Sequence, residues 1–259
     1  MTSTTLHRAL CAGLFVITAT LGLTGCGMSP GGDVGENLEV LATCPADDQK
    51  VASLVLPDGT TSGRTDETDA LYLKTIEEIA RRTTICGGRL TVAAFSSSSG
   101  STVEIYDGEI KLEGATDIAN MRKVDDEVES IMEEISADYE SAMSSVPEGG
   151  TDIVGLYRLF GEQAQQLPDY QLEVTVLTDG LNNLGVNTER EMSTEEATAL
   201  ADSVNVPTLP TNSSITVAGI GRTADGALPS PVISGLVTFY TRLCDNTGAE
   251  TCLAVTDWR

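Results

Sequence analysis

Five oxygen-bearing side chains have the type and spacing to do chemistry together. Asp58, Thr60 and Ser62 stand at alternate positions in PDGTTSG, Thr151 follows the paired glycines of EGGTD, and Asp179 ends the apolar run of LEVTVLTDGLNN. Two carboxylates and three hydroxyls form an all-oxygen donor set, suited to a hard divalent cation such as Mg²⁺, with Mn²⁺ a second candidate, and not to a soft metal. The single histidine, His7, lies in the N-terminal segment read below as removed. A mature chain without histidine has no imidazole base, nucleophile or metal ligand, and no other nucleophile–base pairing stands out. The expectation is therefore a binding site, not an enzyme.

The elements that position these residues follow from hydrophobic periodicity. Val51 to Leu56, Arg89 to Phe95, Leu172 to Thr178, Ile215 to Ile220 and Cys252 to Val255 read as short strands, most of them buried on both faces. Thr102 to Tyr106 follows the second strand after SSSSGS, too short a gap for a helical crossover, so it pairs antiparallel. The serine run lacks a phosphate-loop pattern and reads as a flexible turn. Helical spacing spans Thr65 to Arg82, Asp117 to Met143 and Thr151 to Gln166. A capping box at Ser193 opens a helix to about Ser203, and Ser230-Pro231 reads as the N-cap and first-turn proline of the last. Strands alternating with helices predict an α/β fold: a doubly wound, mostly parallel sheet with one antiparallel edge strand and helices on both faces. Asp58 and Asp179 then end two strands on the ligand-binding side. They converge if the first and fourth strands are neighbours.

The N-terminus carries an address. Arg8, an apolar run from Ala9 to Leu23 and the string Leu23-Thr24-Gly25-Cys26 resemble the signal peptide and lipobox of bacterial lipoproteins. That resemblance implies removal of residues 1–25, lipidation of Cys26, and a protein lipid-anchored to the cell membrane on its extracytoplasmic face. Residues 26–43 read as a flexible tether that would reach roughly 50 Å if extended, and residues 44–259 as the folded domain. Four cysteines remain after processing, Cys44, Cys86, Cys244 and Cys252, an even count that allows three disulfide connectivities. The formal charge of −24, from 39 acids and 15 bases, becomes −25 once Arg8 is lost. Such a surface repels nucleic acid, and the membrane is reached only through the anchor.

With these residues in place, the chain resembles the von Willebrand factor type A domain, a Rossmann-like fold. Its metal-ion-dependent adhesion site has the pattern Asp-x-Ser-x-Ser, then Thr, then Asp. Asp58, Thr60, Ser62, Thr151 and Asp179 match it in order, and VAAFSSS and ITVAGIG extend the likeness from about Val51 to Val255. The resemblance implies a divalent cation, Mg²⁺ or Mn²⁺, completed by an acidic residue of a protein partner. Thr60 stands where the family has Ser, and Pro57 precedes the first acid. In this architecture Cys44 and Cys86 both precede strands, at the end opposite the site, and Cys244 and Cys252 flank one loop. The expected pairs are Cys44 with Cys86 and Cys244 with Cys252. The alternative is a metal-independent scaffold or assembly protein of the cell envelope. A third reading, a haloacid-dehalogenase-like phosphatase suggested by PDGTTS, places Leu56 where that family needs its nucleophilic Asp.

Overall fold

Strand β1 (Lys50–Pro57) is buried along its length beyond Lys50 and forms the centre of the sheet. The computed structural model describes residues 33–46, 49–98 and 100–257. The expected signal peptide and the lipidation of Cys26 lie outside them.

In chain order β1 is followed by α2 (Asp66–Cys86), β2 (Gly88–Ala94), β3 (Val103–Ile110), α3 (Asp117–Met121), α4 (Val124–Ser145), α5 (Ile153–Gln166) and β4 (Tyr170–Leu177). Then come α6 (Thr194–Asp202), β5 (Ser214–Ala218), the short hairpin β6 (Arg222–Thr223) and β7 (Gly226–Ala227), α7 (Ser230–Asp245) and β8 (Thr251–Val255). The six-stranded sheet runs β3-β2-β1-β4-β5-β8, parallel except for the antiparallel edge strand β3.

Chain direction across the sheet reverses between β1 and β4. They pair from Lys50 opposite Tyr170 to Pro57 opposite Leu177, which sets the end of each strand beside the other. This is the topological switch point, where loops diverge and leave a crevice.

Alternation along β1 distributes the core to two faces. Ala52, Leu54 and Leu56 join Leu156, Tyr157 and Phe160 of α5 and Leu236 and Phe239 of α7. Val55 joins Tyr72, Ile76 and Ala80 of α2 with Ile131, Ile135 and Tyr139 of α4. Ser53, a polar residue inside this strand, shares a 2.7 Å hydrogen bond with Thr83 of α2, so its burial leaves no orphaned hydroxyl. Thr65 caps α2 by accepting from Thr68 N, and Ser193 and Glu196 form the expected capping box.

Three features depart from the sequence reading. Residues 33–41 are not extended tether but helix α1 (Asp33–Leu41). Val34, Leu38 and Leu41 pack on Ile85, Met121, Val124 and Val128. Asn37, buried, donates to Met121 O at 3.2 Å and accepts from Arg81 at 3.4 Å. A nine-residue helix is marginal by itself and forms here through docking, which a single-segment reading does not see.

The expected single helix from Asp117 to Met143 is broken after Met121. Lys123 N bonds Asn120 O at 2.8 Å in a tight turn that carries both Met121 and Val124 into the α1 cluster. No proline or glycine marks this break. At α7, Ser230 is already helical and makes no cap bond, since Pro229 is the N-cap residue.

Candidate metal centre

Asp58 is the first residue after β1 and is still held in the sheet. Its N–H donates to Leu177 O at 2.9 Å, and the carbonyl of Pro57 accepts from Phe95 N at 3.1 Å. Pro57 thus removes one backbone donor at the last position of the strand and leaves the path of the loop tied on both sides. A β-carbon on Gly59 would sit 2.6 Å from Val146 Cγ2, so glycine is what lets the loop pass the end of α4.

The Asp58 side chain is fully buried. Oδ1 accepts from Thr60 N at 2.9 Å and Oδ2 from Thr178 Oγ1 at 2.6 Å. Thr178, the last residue before Asp179, itself accepts from Gly180 N at 3.1 Å.

Asp179 is buried to 1% exposure. Its Oδ1 accepts from Leu181 N at 2.9 Å, whereas Oδ2 is buried with no hydrogen-bond partner among the described residues. The Ser62 hydroxyl lowers the Asp179 pKa without forming a well-made hydrogen bond to Oδ2. A β-carbon on Gly63 would lie 3.6 Å from that oxygen, so glycine leaves the approach to it uncluttered.

Two carboxyl groups taken out of water this close together resist ionisation. Burial pushes Asp58 up, against the hydrogen bonds from Thr178 and Thr60. Asp179 is pushed up to about 7, first by burial and then by the charge of Asp58, against the Leu181 N–H and the Ser62 hydroxyl. Tyr72 of α2 feels the same pair: burial and then the charges of Asp58 and Asp179 hold its phenol neutral.

Thr60, Ser62 and Thr151 line one crevice of about 600 Å³, together with Arg64, Val146, Glu148, Asn183 and Glu189. The hydroxyls of Thr60 and Ser62 share a 3.2 Å hydrogen bond. Thr151 precedes α5, whose N-cap is Asp152, and is held by Asn183. Asn183 Oδ1 accepts from Thr151 N at 2.9 Å, and Asn183 N donates to Thr151 O at 3.2 Å. Asn183 Nδ2 also donates to Glu189 at 2.9 Å. The loop after Asp179 is fixed from below, since Tyr240 and Thr188 both donate to Gly180 O, at 2.9 and 3.2 Å.

Of the five residues expected from the sequence, Thr60, Ser62 and Thr151 line the crevice, while Asp58 and Asp179 are buried at the ends of β1 and β4 and do not line it. Ser96 and Ser97, expected in a flexible turn, instead donate to Pro147 O at 2.5 and 3.2 Å and brace the loop leading to Thr151. Sequence reading missed Thr178, Asn183, Tyr72 and Arg64. Thr178 was legible as a hydroxyl at a strand tip beside an acid, whereas Tyr72 follows the core spacing of α2. Arg64 bonds Asp69 and Glu140, both at 3.0 Å, tying the Asp58 loop to α4.

Among the described residues no group of three or more His, Cys, Asp and Glu side chains gathers as a metal site. The donor set present is two carboxylates with hydroxyls, and the buried, unpartnered Oδ2 of Asp179 beside Asp58 is the feature a hard cation fits. With a doubly wound sheet, one antiparallel edge strand, and Asp58 and Asp179 at the β1–β4 switch point, the architecture is decided. The fold is a doubly wound α/β sheet, as the resemblance to the von Willebrand factor type A domain implies. No protein-family model and no curated protein matches the chain.

Solved structures similar to this chain include proximal thread matrix protein 1 from the mussel byssus, at 18% identity and TM-score 0.43 over 82% of this chain and 45% of that one. The conserved hypothetical protein BatB from Bacteroides thetaiotaomicron is 14% identical over 80% of this chain and 90% of that one, with TM-score 0.39. The von Willebrand factor type A structure from Catenulispora acidiphila is 13% identical over 80% of this chain and 38% of that one, with TM-score 0.40. The chain spans less than half the length of the mussel and Catenulispora proteins.

The structure pairs Cys44 with Cys86 and Cys244 with Cys252, with Cα–Cα distances of 5.4 and 5.6 Å. Neither disulfide touches the crevice lining. Among the described residues no helix is long and apolar enough to cross a membrane.

Proposed function

We propose that the chain is a lipid-anchored, extracytoplasmic type A domain that binds a protein partner through a divalent cation, Mg²⁺ or Mn²⁺, at Asp58, Thr60, Ser62, Thr151 and Asp179. The observation that carries this reading is Asp179 Oδ2, buried without a partner next to a second buried carboxyl group. Leaving such a group unpaired is costly, and a cation supplies what the protein lacks. When bound, the ion neutralises the pair and offers a coordination position to a carboxylate of the partner.

The chain's own residues do the rest. Asp58, both of whose oxygens already accept a hydrogen bond, retains lone pairs for the ion or its water. The Thr60 and Ser62 hydroxyls, which already bear on Asp58 and Asp179, would add oxygen ligands to it. Asn183 holds Thr151 in register from the far side of the crevice. The role is binding and not catalysis. With a net charge of −24 the surface favours a mixed or basic partner presenting one acid, and disfavours nucleic acid. Two disulfides support an oxidising compartment.

Calorimetric titration with Mg²⁺ and Mn²⁺ tests the site. Saturable binding lost in Asp58→Ala and Asp179→Ala is expected, and no binding by the parent protein removes the metal reading. The alternative, a metal-independent envelope scaffold, is favoured by one observation, the hydrogen bond that Thr60 and Ser62 already share. Affinity capture from envelope extract with and without chelator separates the two readings, because a scaffold keeps its partner in chelator.

A further inference from the structure

Helix α1 sits at one end of the domain. Asn37 bonds Met121 O and Arg81, Val34 and Leu38 pack on Ile85 and Val124, and Cys44 is joined to Cys86. These partners belong to the last turns of α2, to α3 and to the first turn of α4, beside the starting edges of β1 and β2. Asp58 and Asp179 lie past the other edge, roughly 26 Å away along β1 at about 3.3 Å per residue.

On the lipid-anchor reading proposed above, only Gly27 to Gly32 separate the acylated Cys26 from α1. Fully extended, that stretch reaches roughly 25 Å at about 3.5 Å per residue. A domain of this length is roughly 45 Å across, from the usual scaling of radius of gyration. A leash so short, attached at one end, does not bring the other end round to the bilayer. The tether of roughly 50 Å expected from the sequence would have allowed either end to touch.

We infer that the α1 end of the domain lies against the lipid surface and that the Asp58–Asp179 crevice points away from it, toward a partner outside the plane of the anchoring membrane. The α1 end exposes Lys111, Arg122 and Lys123 among Asp33, Glu36, Glu39, Glu113, Asp117, Asp125 and Asp126, so it is itself acidic and the orientation is imposed by the short leash, not by attraction to anionic headgroups.

The test uses the full-length lipidated protein reconstituted into phosphatidylcholine–phosphatidylglycerol vesicles whose headgroups carry an energy-transfer acceptor. A donor fluorophore is placed at Glu113→Cys, at the α1 end, or at Ser145→Cys, beside the crevice, with the native disulfides intact. Several-fold stronger transfer from position 113 is expected. Inserting about twenty Gly and Ser residues after Gly32 is expected to bring the two signals together, since a flexible linker of that size spans the domain. Equal transfer in the parent, stronger transfer from position 145, or a difference that the insertion leaves unchanged overturns the inference. Flotation separates its failure from that of the anchor reading. Protein that floats with vesicles and transfers from position 145 refutes the orientation alone. Protein that does not float, or whose Cys26→Ser variant floats equally well, refutes both.

Discussion

The Thr178 hydroxyl donates to Asp58 Oδ2 across 2.6 Å, joining two strand ends that lie 120 residues apart in the chain. It is the direct side-chain link between β1 and β4 at the floor of the crevice, and it holds in place a carboxyl group that has no access to water.

Thr178→Val keeps the shape of the side chain and removes this donor. A buried acceptor left short of a charge-assisted bond costs about 1.5–3 kcal/mol. The expected result is a lower urea midpoint and weaker Mg²⁺ binding, with Thr178→Ser close to the parent in both. A midpoint unchanged by valine would show that Asp58 is held by Thr60 N alone.

Asp179→Asn removes a buried negative charge beside Asp58 while keeping an oxygen to accept from Leu181 N. In chelator this variant is expected to unfold at the same or a higher temperature than the parent. Mg²⁺ at about 100 times its Kd should stabilise the parent by about 2.7 kcal/mol and the variant hardly at all. Scanning calorimetry with and without Mg²⁺ reads both effects, and equal metal-induced shifts would count against Asp179 as a ligand.

The metal-free protein has a pH signature. Folding raises the Asp179 pKa to about 7, so the folded state holds a proton that the unfolded chain, near its ordinary value of about 4, has released. This contribution is fully present below the unfolded value and is lost as pH rises through about 7. In chelator, the urea midpoint should therefore increase from pH 8 to pH 5.5, and this gain should be smaller in Asp179→Asn, where only the raised Asp58 remains.

The two disulfides differ in what they restrain. Cys44–Cys86 closes a separation of 42 residues and Cys244–Cys252 one of 8. On the chain-entropy account these constrain the unfolded chain by about 4 and about 2.5 kcal/mol. Replacing Cys44 and Cys86 by Ala should lower the melting temperature more than replacing Cys244 and Cys252. It should also expose the residues 33–44 to limited proteolysis, because Cys44 pins the end of α1.

Much of this protein was written in local sequence. Period-two and period-3.6 patterns mark β1, β4, β5, α2 and α5, because each buries a face that its own residues define. The short spacings in Asp58-x-Thr60-x-Ser62 and the strand-tip position of Asp179 were legible for the same reason. What the chain order left conditional was the meeting of Asp58 with Asp179. It depends on β4 pairing with β1 and not with β2 or β3, a choice made by packing between segments more than a hundred residues apart. The Thr178–Asp58 bond, the Asn183 clasp on Thr151 and the unpartnered oxygen of Asp179 follow only from that pairing. Helix α1 is the same lesson at smaller scale: too short to be stable alone, it exists where Ile85, Met121 and Val124 accept its apolar face.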